Sequence, residues 1–478
     1  MKNRTNLYSR REFSQFLGMG AMALSLLPPA PEKPNIILIM SDDQGWGDVA
    51  YNGHPELKTP SLDEMARSGL QFNRWYAAAP VCSPTRGSCL TGRHPYRYGI
   101  LGANVGCLPQ EEITLAEALK TQGYITGHFG KWHLGTLTTT VQDSNRGGPG
   151  SEEIYSPPWE NGFDVCFSTE SRVPTWDPMI SPGLEAGPLR RGQEPGQSFQ
   201  TYYWTGPGCI ATENVQGNDS AIIMHRAIPF IRDAVGQGKP FLAVIWLHAP
   251  HEPIVAGAEY RRPYAHLPED KQHYYGVITA LDEQIGRLRR DLRKLNAAEN
   301  TMLWYSSDNG PSAPRVSSRC QGSPGPFRGR KGSLYEGGVR VPGILEWPAR
   351  VKSGTVTDVP CCTSDYYPTV LDVLGFNIPD QPHPIDGISL LPLIEGEMKE
   401  RPRPIAFQHR HQVALSDNRY KLISEDLDDR SFELYNLIRD PGETMDLANQ
   451  RPEVAEQMKA TLQEWMTSCE KSREERNI

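Results

Sequence analysis

The chain has 478 residues, 38% of them apolar and 22% charged, with a net charge of −8. That balance builds a core and excludes a disordered polymer, and the acidic surplus argues against nucleic acid as a partner. The nine cysteines show neither zinc spacing nor the density of a disulfide framework, and no repeat of solenoid length is visible.

Residues 1–30 carry Ser9-Arg10-Arg11-Glu12-Phe13 and then an apolar stretch over 16–27. At about a dozen residues this is too short to cross a bilayer comfortably, so it reads as a twin-arginine signal peptide cleaved near Ala30. The expectation is passage through the twin-arginine export machinery to a periplasmic or secreted location in a bacterium, with a retained anchor as the alternative. Loss of Lys2, Arg4, Arg10, Arg11 and Glu12 would leave a net charge of −11.

Four apolar runs of strand length each end in residues that bind metals or anions. Residues 35–40 lead to Ser41-Asp42-Asp43, and 124–130 lead to Lys131-Trp132-His133. Residues 241–247 lead to His248-Ala249-Pro250-His251, and 301–306 lead to Ser307-Asp308-Asn309-Gly310. Each tail alone has a bland reading as a helix cap or solvated turn. If the strands are parallel neighbours, their tails meet in one crevice at the carboxyl edge of the sheet, where ligands of open α/β sheets bind. Between the first two runs, Cys82-Ser83-Pro84-Thr85-Arg86 opens a helix. Pro84 suits its first turn, placing Cys82 just outside, near free backbone N–H groups; the residue is a candidate nucleophile, or else a core cysteine.

Helices are predicted from Thr59-Pro60 to Gly69, over 114–121, 220–234 and 269–295, and from Asp365 to Gly375. Strands alternating with helices make an α/β protein with a doubly wound sheet. Residues 147–208, rich in Pro, Gly, Trp and Tyr, show no sustained period and are expected to lie over a site. Beyond about 390, short extended runs at 405–409, 413–416, 420–423 and 432–436 precede a helix over 453–469. These predict a small antiparallel sheet with one helix. The expected division is a signal peptide (1–30), a catalytic domain (31–390) and a C-terminal α+β subdomain (391–478).

Taken together, the segment at 82–86, Leu90-Thr91-Gly92-Arg93, Gly130-Lys131-Trp132-His133-Leu134-Gly135, Ala249-Pro250-His251-Glu252-Pro253, Ser307-Asp308-Asn309-Gly310, 331–338 and 434–443 resemble the landmarks of the formylglycine-dependent (type I), arylsulfatase-like sulfatases of the alkaline-phosphatase superfamily. The resemblance runs along nearly the whole mature chain. It implies a large mixed, mostly parallel sheet flanked by helices, with the small C-terminal sheet packed against it. It further implies that a separate formylglycine-generating maturation enzyme oxidises Cys82 to formylglycine, an aldehyde used as its hydrate. Thr85 stands where the family commonly has serine.

Asp42, Asp43, Asp308 and Asn309 offer only oxygen ligands, which suit a hard divalent cation. The family implies calcium, with magnesium as the alternative, and with residue 82 completing the metal set. Hydrolysis of a sulfate ester needs the tetrahedral anion held, its growing charge spread, and the leaving oxygen protonated. In the roles the resemblance implies, Lys131 and Lys331 hold the anion and Arg86 orients the hydrate. One hydroxyl attacks sulfur to form a covalent sulfo-enzyme while His251 protonates the alcohol, and His133 helps deprotonate the second hydroxyl to expel sulfate. His248 competes with His251 for the acid role or contacts substrate.

A sulfated saccharide is the expected substrate, with aryl sulfates as surrogates. Trp176, Asp177, Tyr202, Trp204, Arg328, His409, Arg410 and His411 are candidate substrate contacts, with plain packing as the alternative for the aromatics. Local attraction for the anion is assigned to Arg86, Arg93, Lys131, Arg328, Arg330 and Lys331. Two other readings stand beside this one: a phosphate or phosphonate ester hydrolase on the same scaffold, and a sulfated-glycan binder without turnover.

Overall fold

In chain order the strands are β1 (Asn35–Ser41), β2 (Leu70–Phe72), β3 (Trp75–Tyr76), β4 (Ile125–Lys131), β5 (Val165–Thr169), β6 (Trp204–Gly206), β7 (Cys209–Ile210), β8 (Phe241–Trp246), β9 (Thr301–Ser307), β10 (Arg340–Val341), β11 (Gly343–Glu346), β12 (Thr355–Thr357), β13 (Cys361–Cys362), β14 (Ile405–His409), β15 (Gln412–Ser416), β16 (Tyr420–Ser424) and β17 (Glu433–Asn436). The principal helices are α1 (Pro60–Ser68), α2 (Cys82–Thr91), α3 (Leu115–Lys120), α4 (Asp219–Gly236), α5 (Glu269–Lys294), α6 (Tyr366–Leu374) and α7 (Pro452–Glu474). The computed structural model describes residues 33–189, 193–314, 318–427, 429 and 431–476. The export signal expected over 1–30 lies outside the described residues.

The main sheet has ten strands in the order β12-β2-β11-β9-β1-β8-β4-β5-β6-β7. Its centre, β9-β1-β8-β4-β5, is parallel throughout, and β11 and β6 join it antiparallel. Alternation along β1 shows why helices cover both faces. Ile36, Leu38 and Met40 enter one apolar cluster with Leu90 of α2, Leu115 and Leu119 of α3 and Val370 of α6. Ile37 and Ile39 enter another with Leu62 of α1, Ile223 of α4 and Leu281 of α5. Period-two side chains on a strand serve two layers at once, and each such burial is worth about 1.5–3 kcal/mol.

Two helix ends show local chemistry at work. The Thr114 side chain accepts from the Glu117 amide while the Glu117 carboxylate accepts from the Thr114 amide, a capping box that starts α3. α6 stops at Gly375, whose φ of 65° is the left-handed region glycine enters freely. The start of α2 differs from expectation. Cys82 is its first residue, with Val81 as the flanking cap, because the first three N–H groups of a helix have no intrahelical acceptor and Pro84 is tolerated throughout that turn.

A second correction concerns 147–208. This stretch is not a mere cover, since β5 pairs in parallel with β4, Lys131 opposite Thr169, and β6 follows. The apolar core of β5 is only Val165-Cys166-Phe167, too short for its period to show among prolines and glycines. The C-terminal region folds as the expected antiparallel sheet, β14-β15-β16-β17. Val413, Leu415, Leu422 and Leu434 on one face pack on Ala455, Met458 and Leu462 of α7.

Candidate active site

The tails of β1, β9, β8 and β4 converge because those strands are adjacent and parallel. Asp42 and Asp43 follow β1, Asp308 and Asn309 follow β9, and the N-terminus of α2 faces them. Glycines allow the close approach. A Cβ at Gly130 would lie 1.9 Å from the Trp246 carbonyl, and one at Gly310 would lie 2.0 Å from the Gly337 carbonyl.

At the floor, Asp42, Asp43 and Asp308 are buried. Ligand atoms of Asp42, Asp43, Cys82 and His251 all lie within 4.8 Å of one another. Asn309 donates from Nδ2 to Asp43 Oδ1 at 2.7 Å, and its own Oδ1 is buried with no hydrogen-bond partner. An orphaned amide oxygen beside three carboxylates fits a hard divalent cation, since a buried acceptor left unpaired is costly. Asp43 holds a left-handed φ of 64°, tolerable for aspartate, which turns its amide to Asp308 Oδ1 at 3.1 Å.

Three cations balance these carboxylates. Lys131 Nζ lies 2.6 Å from Asp42 Oδ2, Lys331 Nζ 2.5 Å from Asp43 Oδ1, and Arg86 Nη2 2.6 Å from Asp308 Oδ2. Arg86 also donates to the Lys131 carbonyl at 3.1 Å, so its guanidinium braces the carboxylates and the β4 tail. Burial pushes against ionisation of Asp42, but Lys131, His251, Arg86 and Lys331 outweigh it and hold the carboxyl well below its ordinary value. Asp308 goes the other way, to about 6, through burial and the charge of Asp42. Burial opposes the charge on Lys331, yet Asp43, Cys82, Asp42 and Asp308 raise it well above the ordinary lysine value.

Cys82 Sγ stands over this floor, 3.8 Å from Asp42 Oδ1 and 3.5 Å from Lys331 Nζ. Burial, with Asp308 and Asp42 adding to it, pushes the thiol up to about 12, so a cysteine here carries its proton at neutral pH. His251 hydrogen-bonds through Nδ1 to the Glu252 carbonyl at 2.6 Å and presents Nε2 3.6 Å from Asp43 Oδ2. Burial lowers its pKa to about 4 against the pull of Asp43 and Asp42. His133, at φ 59°, is buried at the end of β4.

Other candidates lie elsewhere or do other work. His248 is fully buried, with Nδ1 2.8 Å from Asp219 Oδ2 and Nε2 2.7 Å from Thr169 Oγ1. With both nitrogens engaged it contacts no substrate and supplies no acid. It joins the β8 and β5 tails instead. Trp204 is also fully buried and donates to Asp143 Oδ2 at 2.8 Å, which removes it from a sugar surface. Arg93 pairs with Glu112 at 3.2 Å and Arg330 donates to the Ser312 and Gly322 carbonyls, so neither is free to attract an anion.

Arg328 stacks 3.7 Å from the Tyr335 ring centroid and donates to Tyr435 Oη at 2.9 Å, tying the Lys331 loop to the C-terminal sheet. Trp176 is half-buried and packs on Gly257; the Asp177 carboxylate accepts the Gly217 amide at 2.7 Å, and Tyr202 is half-buried. His409 is buried, with Nδ1 unpartnered. Arg410 and His411 are exposed at the β14–β15 turn, where the Arg410 amide donates to Tyr96 Oη at 2.8 Å.

Sequence reasoning passed over the groups around His133: Asn104, Asn145, Arg146, Glu170 and Ser171. Polar residues at the end of β5, Ser168-Thr169-Glu170-Ser171, were the available signal. Ser312, whose Oγ donates to Asp43 Oδ2 at 2.6 Å, gave none.

The fold is that of the alkaline-phosphatase-like superfamily, and the buried carboxylate floor is a group of residues able to hold a divalent cation. Residues 34–376 match the Sulfatase family and residues 327–471 match the family described as N-sulphoglucosamine sulphohydrolase, C-terminal. The chain is 33% identical over 401 residues to N-acetylgalactosamine-6-sulfatase of Homo sapiens, covering 80% of this chain and 69% of that protein. It is 33% identical over 393 residues to arylsulfatase G of Canis lupus familiaris, covering 76% and 68%. Among solved structures it resembles Ps i-CgsB, with a TM-score of 0.76, 28% identity and coverage of 91% of this chain and 92% of that one. That protein is also described in complex with k-i-k-neocarrahexaose. The chain belongs to the sulfatase family and is a sulfuric ester hydrolase.

Proposed function

We propose that this enzyme desulfates a sulfated carbohydrate, using formylglycine made from Cys82 and a calcium ion held by Asp42, Asp43, Asp308, Asn309 and residue 82. The observation that carries the reading is the position of Cys82 Sγ, between the carboxylate floor and Lys331 Nζ at 3.5 Å, at the first turn of a helix. Formylglycine, as its hydrate, would supply one hydroxyl to attack sulfur and a second whose deprotonation frees the sulfate, and the cation would neutralise the anion.

The remaining work falls to side chains. Lys131 and Lys331 bind the sulfate oxygens and spread their charge as it grows. Arg86 keeps Asp308, Asp42 and the β4 tail in place. His251 delivers a proton from Nε2 to the departing alcohol oxygen only as the imidazolium, because in the neutral ring the hydrogen sits on Nδ1, bonded to the Glu252 carbonyl that orients it. His133 takes the proton of the second hydroxyl. A saccharide substrate is supported by the glycan-directed names of the relatives and by the oligosaccharide complex of the structural neighbour. Arg410 and His411, exposed on the C-terminal hairpin, are the proposed sugar contacts that remain open to solvent; the half-buried Trp176 and the buried His409 complete the proposed set. Residues 31–390 would form the catalytic domain and 391–478 the subdomain that braces the Lys331 loop. A formylglycine-generating enzyme acting before twin-arginine export, and a periplasmic or secreted location, complete the reading. Among the described residues no helix is long and apolar enough to cross a membrane.

The test is desulfation of a panel of defined sulfated saccharides, with nitrophenyl sulfate and nitrophenyl phosphate as references and mass spectrometry of the peptide carrying residue 82. Release of sulfate from a saccharide by enzyme bearing the aldehyde is expected. An unmodified thiol in fully active protein, or much faster cleavage of the phosphate, would overturn it.

A further inference from the structure

The two ring nitrogens of His133 have unequal surroundings. Nε2 lies 2.8 Å from Asn104 Oδ1, whereas Nδ1 is buried without a hydrogen-bond partner. The same Oδ1 of Asn104 receives Asn145 Nδ2 at 3.2 Å, and Asn145 Nδ2 also lies 3.4 Å from Ser171 Oγ. An amide oxygen only accepts, so two N–H groups converge on it and the histidine nitrogen facing it carries its hydrogen. The lone pair of the neutral ring is then on Nδ1.

This arrangement is built into the fold. Asn104 sits at φ 61° on a turn closed by a bridge between Gly102 and Val105. Arg146 holds that turn through the Gly106 carbonyl at 2.7 Å. Its Nε meets Glu170 Oε1 at 2.8 Å, and Glu170 is fully buried. The Glu170 carbonyl in turn accepts the His133 amide at 3.0 Å. One buried ion pair therefore fixes both the backbone that carries His133 and the turn that carries its acceptor. Burial, reinforced by Lys131, Arg146 and Arg86 and opposed by Asp42, holds His133 well below its ordinary pKa. The neutral ring is the form present, and which nitrogen bears the hydrogen decides whether it can act as a base.

We infer that Asn104 is a positioning residue that locks His133 in the Nε2–H tautomer and so makes Nδ1 the atom that accepts the proton from the second hydroxyl of residue 82. In that step the O–H bond breaks, its electron pair stays with the oxygen, and the proton passes to Nδ1. The inference rests on the reading of His133 as the base. Without an acceptor at Nε2 the hydrogen is shared between the two nitrogens, and only part of the enzyme has a lone pair at Nδ1.

The experiment uses the full enzyme labelled with 15N-histidine and compares it with Asn104→Gly, Asn104→Asp and His133→Ala. Glycine keeps the left-handed backbone and removes the acceptor, while aspartate keeps an acceptor in the same place. Long-range 1H–15N spectra report the tautomer, and the signal missing from His133→Ala identifies the ring. An Nε2–H pattern is expected in the natural enzyme and in Asn104→Asp, with a mixed pattern in Asn104→Gly. For nitrophenyl sulfate, kcat should fall roughly tenfold in Asn104→Gly with KM little changed, and recover in Asn104→Asp. An Nδ1–H pattern in the natural enzyme, or an Asn104→Gly enzyme with unchanged spectrum and kcat, overturns the inference. Full activity in His133→Ala would instead overturn the base assignment beneath it, while the spectra still decide the tautomer by themselves.

Discussion

Among the described residues, two clusters bury a lysine against carboxylates, and only one of the two opens to solvent. Lys421 of β16 lies 3.0 Å from Glu336 and 3.1 Å from Glu443, and all three side chains are sealed from solvent. Lys331 lies against Asp43 Oδ1, with about a fifth of its side chain exposed, and Asn309, whose own Oδ1 is orphaned, donates to the same Asp43 oxygen at 2.7 Å. The first cluster joins the C-terminal sheet to a short helix, Glu336–Val339, and has no opening. The second has an opening, although both contain a buried oxygen without a hydrogen-bond partner, Glu443 Oε1 in the first and Asn309 Oδ1 in the second. Buried charge or an unsatisfied polar atom by itself therefore does not mark chemistry; access does.

The sharpest way to break this comparison is Cys82→Ala. Turnover of nitrophenyl sulfate should fall by at least about 10⁴-fold while the thermal melt stays within a few degrees, because the change removes the reacting group and little volume. A variant retaining a tenth of the activity would move the chemistry away from α2. Lys421→Met should act in the opposite sense. It leaves Glu336 and Glu443 buried without their shared cation, which costs about 3–5 kcal/mol in urea unfolding, while kcat of the folded fraction stays within about threefold. A stable Lys421→Met enzyme with crippled kcat would mean that both lysines serve the reaction.

His251→Ala should cost about 10²–10³-fold on a sugar or alkyl sulfate and much less on nitrophenyl sulfate, whose leaving group needs no proton. Equal losses on the two substrates would remove the acid assignment.

The smallest effect concerns His94, buried at the C-terminal interface. Burial lowers its pKa to about 4, with Asp386 opposing and Arg97 adding to the effect, against an ordinary histidine value of about 6.5 in the unfolded chain. Below that value the unfolded chain takes up a proton that the fold refuses, so stability present above pH 6.5 is lost as the pH falls toward 4, by up to about 3 kcal/mol. His94→Asn retains an acceptor for the Tyr96 amide that His94 Nδ1 now receives and should flatten this acid limb. Chemical denaturation at pH 7 and pH 4.5 measures the difference, and an unchanged slope would leave the acid sensitivity to other groups.

Legibility in the sequence followed local determinism. The central strands were readable because four of them are long apolar runs, and β14–β17 because their runs are separated by turn residues. β5 was not, its apolar stretch being three residues long. His248 and His251 stand three residues apart in one motif. No spacing rule could say that His248 would be sealed between Asp219 and Thr169 while His251 faced the carboxylates, because those partners come from α4 and β5.

From sequence alone came the α/β class, the strand tails and the short list of residues able to hold a cation and a sulfate. These depend on period, caps and the donor atoms each side chain owns, which are local properties. The tertiary structure alone decided which nitrogen of His133 is bare, that Arg86 braces Asp308, and that Trp204 and His248 are spent on the interior. Such outcomes depend on distances between segments far apart in the chain, and a linear pattern carries no record of them.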